Sequence, residues 1–222
     1  MPVVAAVGGL ANYLPVTVPD GFLAKIIVGS VALKSRGGNS AVVCLRPAEL
    51  TGGGTSGNNQ SADGLQNGGS GGGINFQYAT YGGSVGTGNT PAFIPSQGNN
   101  GDFQSGGSTG GGGGGFAAGA SGKNGGQGLA LDADTLLLGS LINNNTHFSS
   151  GGGGAGDVNL GGSPGTGGTG AGRGNYNYEP PQFNSATDAT MYGCGGGGGL
   201  TSSTGRSTYG YQGIVIIRYP VN

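Results

Sequence analysis

Hydrophobic positions gather at the two ends of the chain, and polar, side-chain-poor sequence fills the middle. Near the start, Val16-Thr17-Val18 runs into the turn signal Pro19-Asp20-Gly21. Phe22 to Leu33 is then rich in apolar and β-branched residues, which predicts one or two strands. Arg36-Gly37-Gly38-Asn39 predicts a turn, Ala41–Leu45 a returning strand, and Pro47 its end. At the other terminus, Ile214-Val215-Ile216-Ile217 lies between Gly213 and Pro220. Four consecutive β-branched apolar residues predict a strand buried on both faces, which pairs with strands of residues 1–50.

Between these ends the period of two is lost. Residues 51–200 hold glycine tracts such as Gly71–Gly73, Gly110–Gly115, Gly151–Gly154 and Gly195–Gly199. Short segments with side chains punctuate them: Ile74–Tyr78, Pro91–Pro95, Leu129–Ile142 and Tyr176–Phe183. Leu136-Leu137-Leu138 and Leu141-Ile142, split by Gly139-Ser140, are compatible with a strand pair or an irregular turn. The organisation expected is a β region that also serves attachment at 1–50, a rod-and-loop region at 51–200, and a closing strand at 201–222. That strand packs with residues 1–50 as one domain.

Composition sharpens this picture. Glycine accounts for 58 of 222 residues, about a quarter against a usual ~7%. Each interior glycine costs a helix roughly 1 kcal/mol relative to alanine, so helices are disfavoured. Collagen is excluded because glycine does not recur strictly every third residue. A flexible linker is the ordinary reading of such sequence. An ordered alternative exists: an extended helix of three residues per turn has no internal hydrogen bonds. Glycine in that form keeps its N–H, so neighbouring rods can bond through the main chain and satisfy their buried peptide groups. The expected fold is therefore mostly irregular and β. Terminal strands form a small β unit, with an insertion of polyglycine II-like rods and loops.

Charge and candidate chemistry remove several functions. The net charge is -1, and the eight Lys and Arg are scattered singly, so the clustered basic footprint of a nucleic-acid binder is absent from the sequence. Ile26–Leu33, the longest mainly apolar stretch, falls short of the ~20 residues that span a bilayer. Met1–Val7 is apolar but has no basic flank, so no signal peptide is expected. Cys44 and Cys194 make no disulfide framework, although a bridge between them stays open. Gly165-Thr166-Gly167-Gly168-Thr169-Gly170 fits G-x-G-x-x-G, a pattern that glycine abundance produces by chance and that needs a strand before it and a helix after it. Ser121-Gly122-Lys123-Asn124 lacks the hydroxyl that a phosphate loop carries after its lysine. Asp132 and Asp134 form a D-x-D pair, far from the 6–8 oxygens that Ca²⁺ takes. His147, after Asn143–Thr146, reads as a solvent-facing loop residue. Catalytic residues, metal and cofactor are not expected. Tyr176, Tyr178, Phe183, Tyr192, Tyr209 and Tyr211 cluster late and suit either gripping a partner or capping rods.

The stretch Tyr192-Gly193-Cys194 with Gly195–Gly199, followed by Gly210-Tyr211-Gln212-Gly213 and the closing strand to Pro220, resembles the end of the glycine-rich domain of bacteriophage virion proteins. Leu14–Gly21 is similar to that domain's opening strand, and the tract-and-spacer middle resembles polyglycine-rod tail-fibre adhesins. The resemblance implies a non-enzymatic structural protein of the virion surface, made in the host cytoplasm without a signal peptide. Its partners would be other virion proteins and a host surface receptor, protein or glycan, with a homotrimer compatible with a fibre. Receptor contacts would come from the loops Phe76–Tyr81, Thr90–Ser96, Asn143–Phe148 and Asn175–Phe183. These carry Phe76, Tyr78, Tyr81, Phe93, His147, Phe148, Tyr176, Tyr178 and Phe183. A capsid decoration or head-fibre protein is the alternative, and an ice-binding protein built on glycine rods with a flat Thr- or Ala-bearing face is a third.

Overall fold

A computed structural model describes residues 2–7, 10–15, 25–27, 40–43, 48–50, 53–54, 67–73, 85–92, 96–103, 110–130, 146–156, 162–175, 186–198 and 208–217. None of these residues is helical, and the architecture is β and irregular. The strands are β1 (Pro2–Val7), β2 (Leu10–Pro15), β3 (Lys25–Ile27), β4 (Ser40–Val43), β5 (Ala48–Leu50), β6 (Leu129–Ala130), β7 (His147–Phe148) and β8 (Ile214–Ile217).

Two small sheets hold the chain ends. One has the order β2-β1-β8 and the other β3-β4-β5. β1 and β2 are antiparallel, with Val7 opposite Leu10, so Gly8 and Gly9 alone separate the partners in sequence, the spacing of a tight hairpin. β8 lies antiparallel on the other side of β1, from Val3 opposite Ile217 to Ala6 opposite Ile214. β3 and β4 pair from Lys25 opposite Val43 to Ile27 opposite Ala41. The sequence pattern did not predict β1, nor β2, β5, β6 and β7. Pro2-Val3-Val4-Ala5-Ala6-Val7 has no alternation, and its Pro sits at the first strand position, where no ladder donor is needed. Val16-Thr17-Val18 and Asp132 with Asp134 lie outside the described residues, as do Leu136–Ile142.

The glycine-rich middle follows another rule. Its main-chain bonds step by three residues. Gly110, Gly113 and Phe116 donate in turn to the carbonyls of Ala155, Gly152 and Ser149, at 2.7, 2.9 and 2.9 Å. Gly165 and Gly168 donate to Gly154 and Gly151, at 2.8 and 3.0 Å. Gly153 and Gly156 donate to Gly172 and Asn175, and Gly195 and Gly198 donate to Ser150 and Gly153. The first two ladders run antiparallel and the last two parallel. A fifth neighbour, 123–126, accepts from Gly151 and Gly154 at 2.9 and 2.8 Å. The segment 149–156 is thus surrounded by five others, each bonded to it on a different side. No β-strand can do this, because its peptide groups alternate between two directions.

Side-chain space shows the same period. A Cβ on Gly151 or Gly154 would collide with the backbone of 110–114, one on Gly152 with Gly196, and one on Gly153 with Gly165. All four fall well inside the 3.0 Å that real Cβ atoms essentially never cross. The segments approach so closely that glycine is required on three sides of the central tract. Gly113 is different: a Cβ there would meet its nearest atom at 3.6 Å, an ordinary contact. Within the described part of 51–200, the buried apolar side chains are only Phe148, Ala186, Ala189 and Cys194. Main-chain bonding, not a side-chain core, therefore fills this interior.

Gly154→Ala should accordingly lower stability by on the order of 1–3 kcal/mol through forced separation of two segments. Gly113→Ala should be neutral or should gain up to about 1 kcal/mol, because alanine restricts the unfolded chain. Thermal melts of the two variants beside the wild type check this. Equal destabilisation by both would contradict the close-approach geometry.

Candidate functional site

Four segments lie side by side as an outer layer. Gly125 donates to Thr166, which joins 124–127 to 165–168. Ala171 and Gly174 donate to Gly168 and Gly165, which joins 165–168 to 171–174. Thr187 and Thr190 donate to Arg173 and Gly170, which adds 187–190. The chain reverses between the second and third segments at Gly170, whose φ of 79° falls in the left-handed region that glycine adopts without a Cβ penalty.

The three-residue step sorts the side chains of this layer. Every third residue is exposed: Ser121, Asn124 and Gln127 on one segment, Ser163, Thr166 and Thr169 on the next, then Arg173, then Thr187 and Thr190. The residues between them are buried or half-buried and are mostly glycine. The outer face is a grid of hydroxyls and amides with one guanidinium.

Cross-bonds fix the grid. Asn124 Oδ1 accepts from Thr166 N and Oγ1, at 3.1 and 3.2 Å. One step along, Gln127 Oε1 accepts from Thr169 N and Oγ1, also at 3.1 and 3.2 Å. Lys123 Nζ donates to Ser163 Oγ, and Arg173 N donates to Thr187 Oγ1 at 2.8 Å. The Thr166 and Thr169 hydroxyls use their protons on side-chain amide oxygens. Hydroxyl lone pairs and amide N–H groups remain to meet a ligand from side chains already ordered, which lowers the entropic cost of binding.

Of the candidates expected from the sequence, Phe76, Tyr78, Tyr81, Phe93, Tyr176, Tyr178 and Phe183 lie outside the described residues. His147 is in β7, half-buried and opposite Ala130 rather than in a solvent-facing loop. Its Nδ1 lies 3.1 Å from Thr146 Oγ1. Phe148 is fully buried, so it presents no surface to a partner; the strand alternation that half-exposes His147 turns Phe148 inward. Two of the expected loops have described bases. Gln97, 1% exposed, bonds Asn89 Oδ1 through its N–H at 3.0 Å and Pro91 O through Nε2 at 3.2 Å, tying the ends of the loop around Thr90–Ser96. Asn175, 3% exposed, donates to Gly198 and accepts from Gly156 where Asn175–Phe183 begins.

The late tyrosines divide. Tyr192 and Tyr211 pack edge to face, with ring centres 5.2 Å apart and planes at 86°, while Tyr209 is largely exposed. Cys194 is a free thiol, 2% exposed. Its Sγ receives the Ser150 N–H at 3.4 Å and lies 3.8 Å from the carbonyls of Thr169 and Tyr192. Burial pushes its pKa up, and the hydrogen bonds from Ser150 and Ser149 oppose that only in part. Among the described residues, no group of three or more His, Cys, Asp or Glu could hold a metal ion.

The outer grid was missed in the sequence, although its signal is visible there as Ser-x-x-Asn-x-x-Gln and Ser-x-x-Thr-x-x-Thr. The G-x-G-x-x-G segment, tested above for phosphate binding, forms part of this grid, and no described helix follows it.

A family model described as a glycine-rich domain matches residues 9–220, and the chain belongs to that family. No curated protein and no solved structure matches the chain.

Because the Cys194 pKa is raised, its contribution is complete below the ordinary thiol value of 9.0 and is lost as pH rises beyond it, where the unfolded thiol ionises first. Melts between about pH 8 and 10 should show a steeper loss of stability in the wild type than in Cys194→Ala. Parallel curves would contradict this assignment.

Proposed function

We propose that the glycine tracts are polyglycine II rods and that the protein is a non-enzymatic virion surface component, a tail-fibre or tail-tip adhesin that binds the host cell surface. The observation that carries this reading is the combination of a rigid, main-chain-bonded bundle with a pre-ordered outer face of threonine, asparagine and glutamine. The three-residue bonding step supports the rod assignment, since that is the period of an extended three-fold helix. The bonds at Asn89/Gln97 and at Asn175 fix the described ends of two of the expected receptor-contact segments to the bundle, which suits recognition. The resemblance of the closing segment to phage glycine-rich domains supplies the virion setting. The partners in this reading are other virion proteins and a host receptor, with the outer grid reading neutral hydroxylated groups such as those of a surface glycan.

A second reading has one specific observation in its favour. Thr166 with Thr169, and Thr187 with Thr190, stand exposed at three-residue spacing on two segments of the same layer, with 171–174 between them, and a regularly spaced threonine-bearing face is what binding to ice requires. Thermal hysteresis in a solution of the protein would support it over the adhesin.

Purified protein should compete with phage particles for adsorption to host cells. Placing arginines across the grid, as Thr169→Arg with Thr190→Arg, should weaken binding about tenfold or more by removing two matched contacts and adding unpaired bulk. The melting temperature should fall only slightly, because both side chains are exposed and each gives up one surface hydrogen bond while its main-chain bonds stay. An absence of competition at saturating protein would overturn the adhesin reading, and many copies per particle would move the protein to the capsid.

A further inference from the structure

The chain contains three Asn–Gly dipeptides, Asn67–Gly68, Asn100–Gly101 and Asn124–Gly125. Two of them grip a single partner residue by both its N–H and its C=O, and the third grips two residues of one segment. Asn67 Oδ1 accepts the Thr87 N–H at 2.7 Å while Gly68 N–H donates to Thr87 O at 3.1 Å. Asn124 Oδ1 accepts from Thr166 N at 3.1 Å while Gly125 donates to Thr166 O at 2.8 Å. Asn100 Oδ1 accepts from Gly88 N at 2.9 Å while Gly101 donates to Gly86 O at 3.0 Å. A side-chain carbonyl and the following N–H together grip a neighbouring segment.

Asn–Gly is also the dipeptide most open to spontaneous deamidation. The glycine nitrogen loses its proton and attacks the asparagine Cγ. A C–N bond forms, the bond from Cγ to the side-chain nitrogen breaks, and ammonia leaves. Water then opens the resulting succinimide at either carbonyl, giving aspartate or isoaspartate. Glycine favours ring closure because no Cβ obstructs it. In each clamp the glycine N–H points into a partner carbonyl, and the bond from a partner N–H to the asparagine oxygen pins the side chain, so that Cγ is not free to swing onto the glycine nitrogen.

We propose that these three pairs are gated modification sites, chemically silent while the segments are joined and reactive once they part. Burial does not explain the silence, since Asn100 and Asn124 are exposed and Asn67 is half-buried. The consequence depends on the product. Asp188 already makes this clamp with a carboxylate, accepting Tyr209 N at 2.9 Å while Ala189 donates to Tyr209 O at 2.9 Å. Conversion to aspartate therefore preserves the grip. Isoaspartate adds a methylene to the main chain and shifts the next N–H out of register, so an opening that lasts long enough becomes irreversible. The inference is independent of the proposed function.

The test ages the full-length protein at mildly alkaline pH, folded and in urea, and follows deamidation at each site by peptide mass spectrometry. Hydrogen exchange at Gly68, Gly101 and Gly125 is measured in parallel. Each site should react about tenfold or more slowly in the folded protein, and the slowing should track the exchange protection of the glycine that follows, since both need the same opening. Deamidation at the urea rate in the folded protein would overturn the proposal. So would slow deamidation beside an unprotected glycine amide.

Discussion

A peptide group buried without a partner costs about 1–3 kcal/mol, and the interior of this protein is made largely of peptide groups. That constraint decides the structure. A sheet satisfies its strands along two directions and leaves its faces to be covered by side chains. With 58 glycines, the chain has few side chains to offer as cover. A three-residue step solves the problem by directing successive N–H and C=O groups around the segment. The central tract 149–156 bonds to five neighbours, and some ladders run parallel while others run antiparallel. Mixed direction is accepted because the partner is chosen by the angular position of a residue and not by a sheet register. The net gain per bond is modest, roughly 0.5–1.5 kcal/mol, so the requirement acts chiefly by exclusion. Arrangements that leave these groups unpaired are too costly to populate.

Close approach follows from the same bonding, and it sends side chains outward. Where a tract has neighbours on all sides, nothing larger than hydrogen fits, as at Gly151 to Gly154. Where one side faces solvent, every third position is released. Ser163, Thr166 and Thr169 occupy that side of one outer segment, and Ser121, Asn124 and Gln127 that of another. These residues are short and polar for a reason: their carbonyls and hydroxyls complete bonds that the main chain cannot reach. Asn124, Asn67 and Asp188 each act as an added carbonyl that extends the ladder by one position. One side chain thus serves both the cohesion of the layer and the chemistry of its surface.

The sequence disclosed the ends of the molecule better than its middle. The β-branched run at Ile214–Ile217 and the apolar Ala41–Val43 are strands because their side chains carry the signal that defines a strand. β1 was not legible, since Val3-Val4-Ala5-Ala6 lacks alternation and shows its nature only through partners on both sides. In the middle, the mostly irregular and non-helical character followed from glycine abundance, but which segments join could not. A tract of identical residues carries no register information, so Gly151–Gly154 looks the same to every other tract. The outer grid was written as polar residues three apart and went unseen because reading for periods of 2 and 3.6 does not register 3. The family resemblance implies a receptor-contact loop at Asn143–Phe148, whereas strand alternation after His147 places Phe148 inside.

Register must then come from residues other than glycine, and the structure shows where. The clamps fall at Asn67, Asn100, Asn124 and Asp188, beside the tracts and not within them, and each fixes one segment against a named partner. Cys194 adds a buried point where Ser150, Thr169 and Tyr192 converge. The segment before the closing strand is bonded to this point: Tyr211 donates to Cys194, Gly193 donates to Gln212, and Thr208 Oγ1 donates to Gly197. β8 follows directly and pairs with β1. A slip of one residue in the last tract would move Asp188 away from Tyr209 and draw β8 out of register with β1. The ordinary strands at the ends therefore index the otherwise uniform tracts.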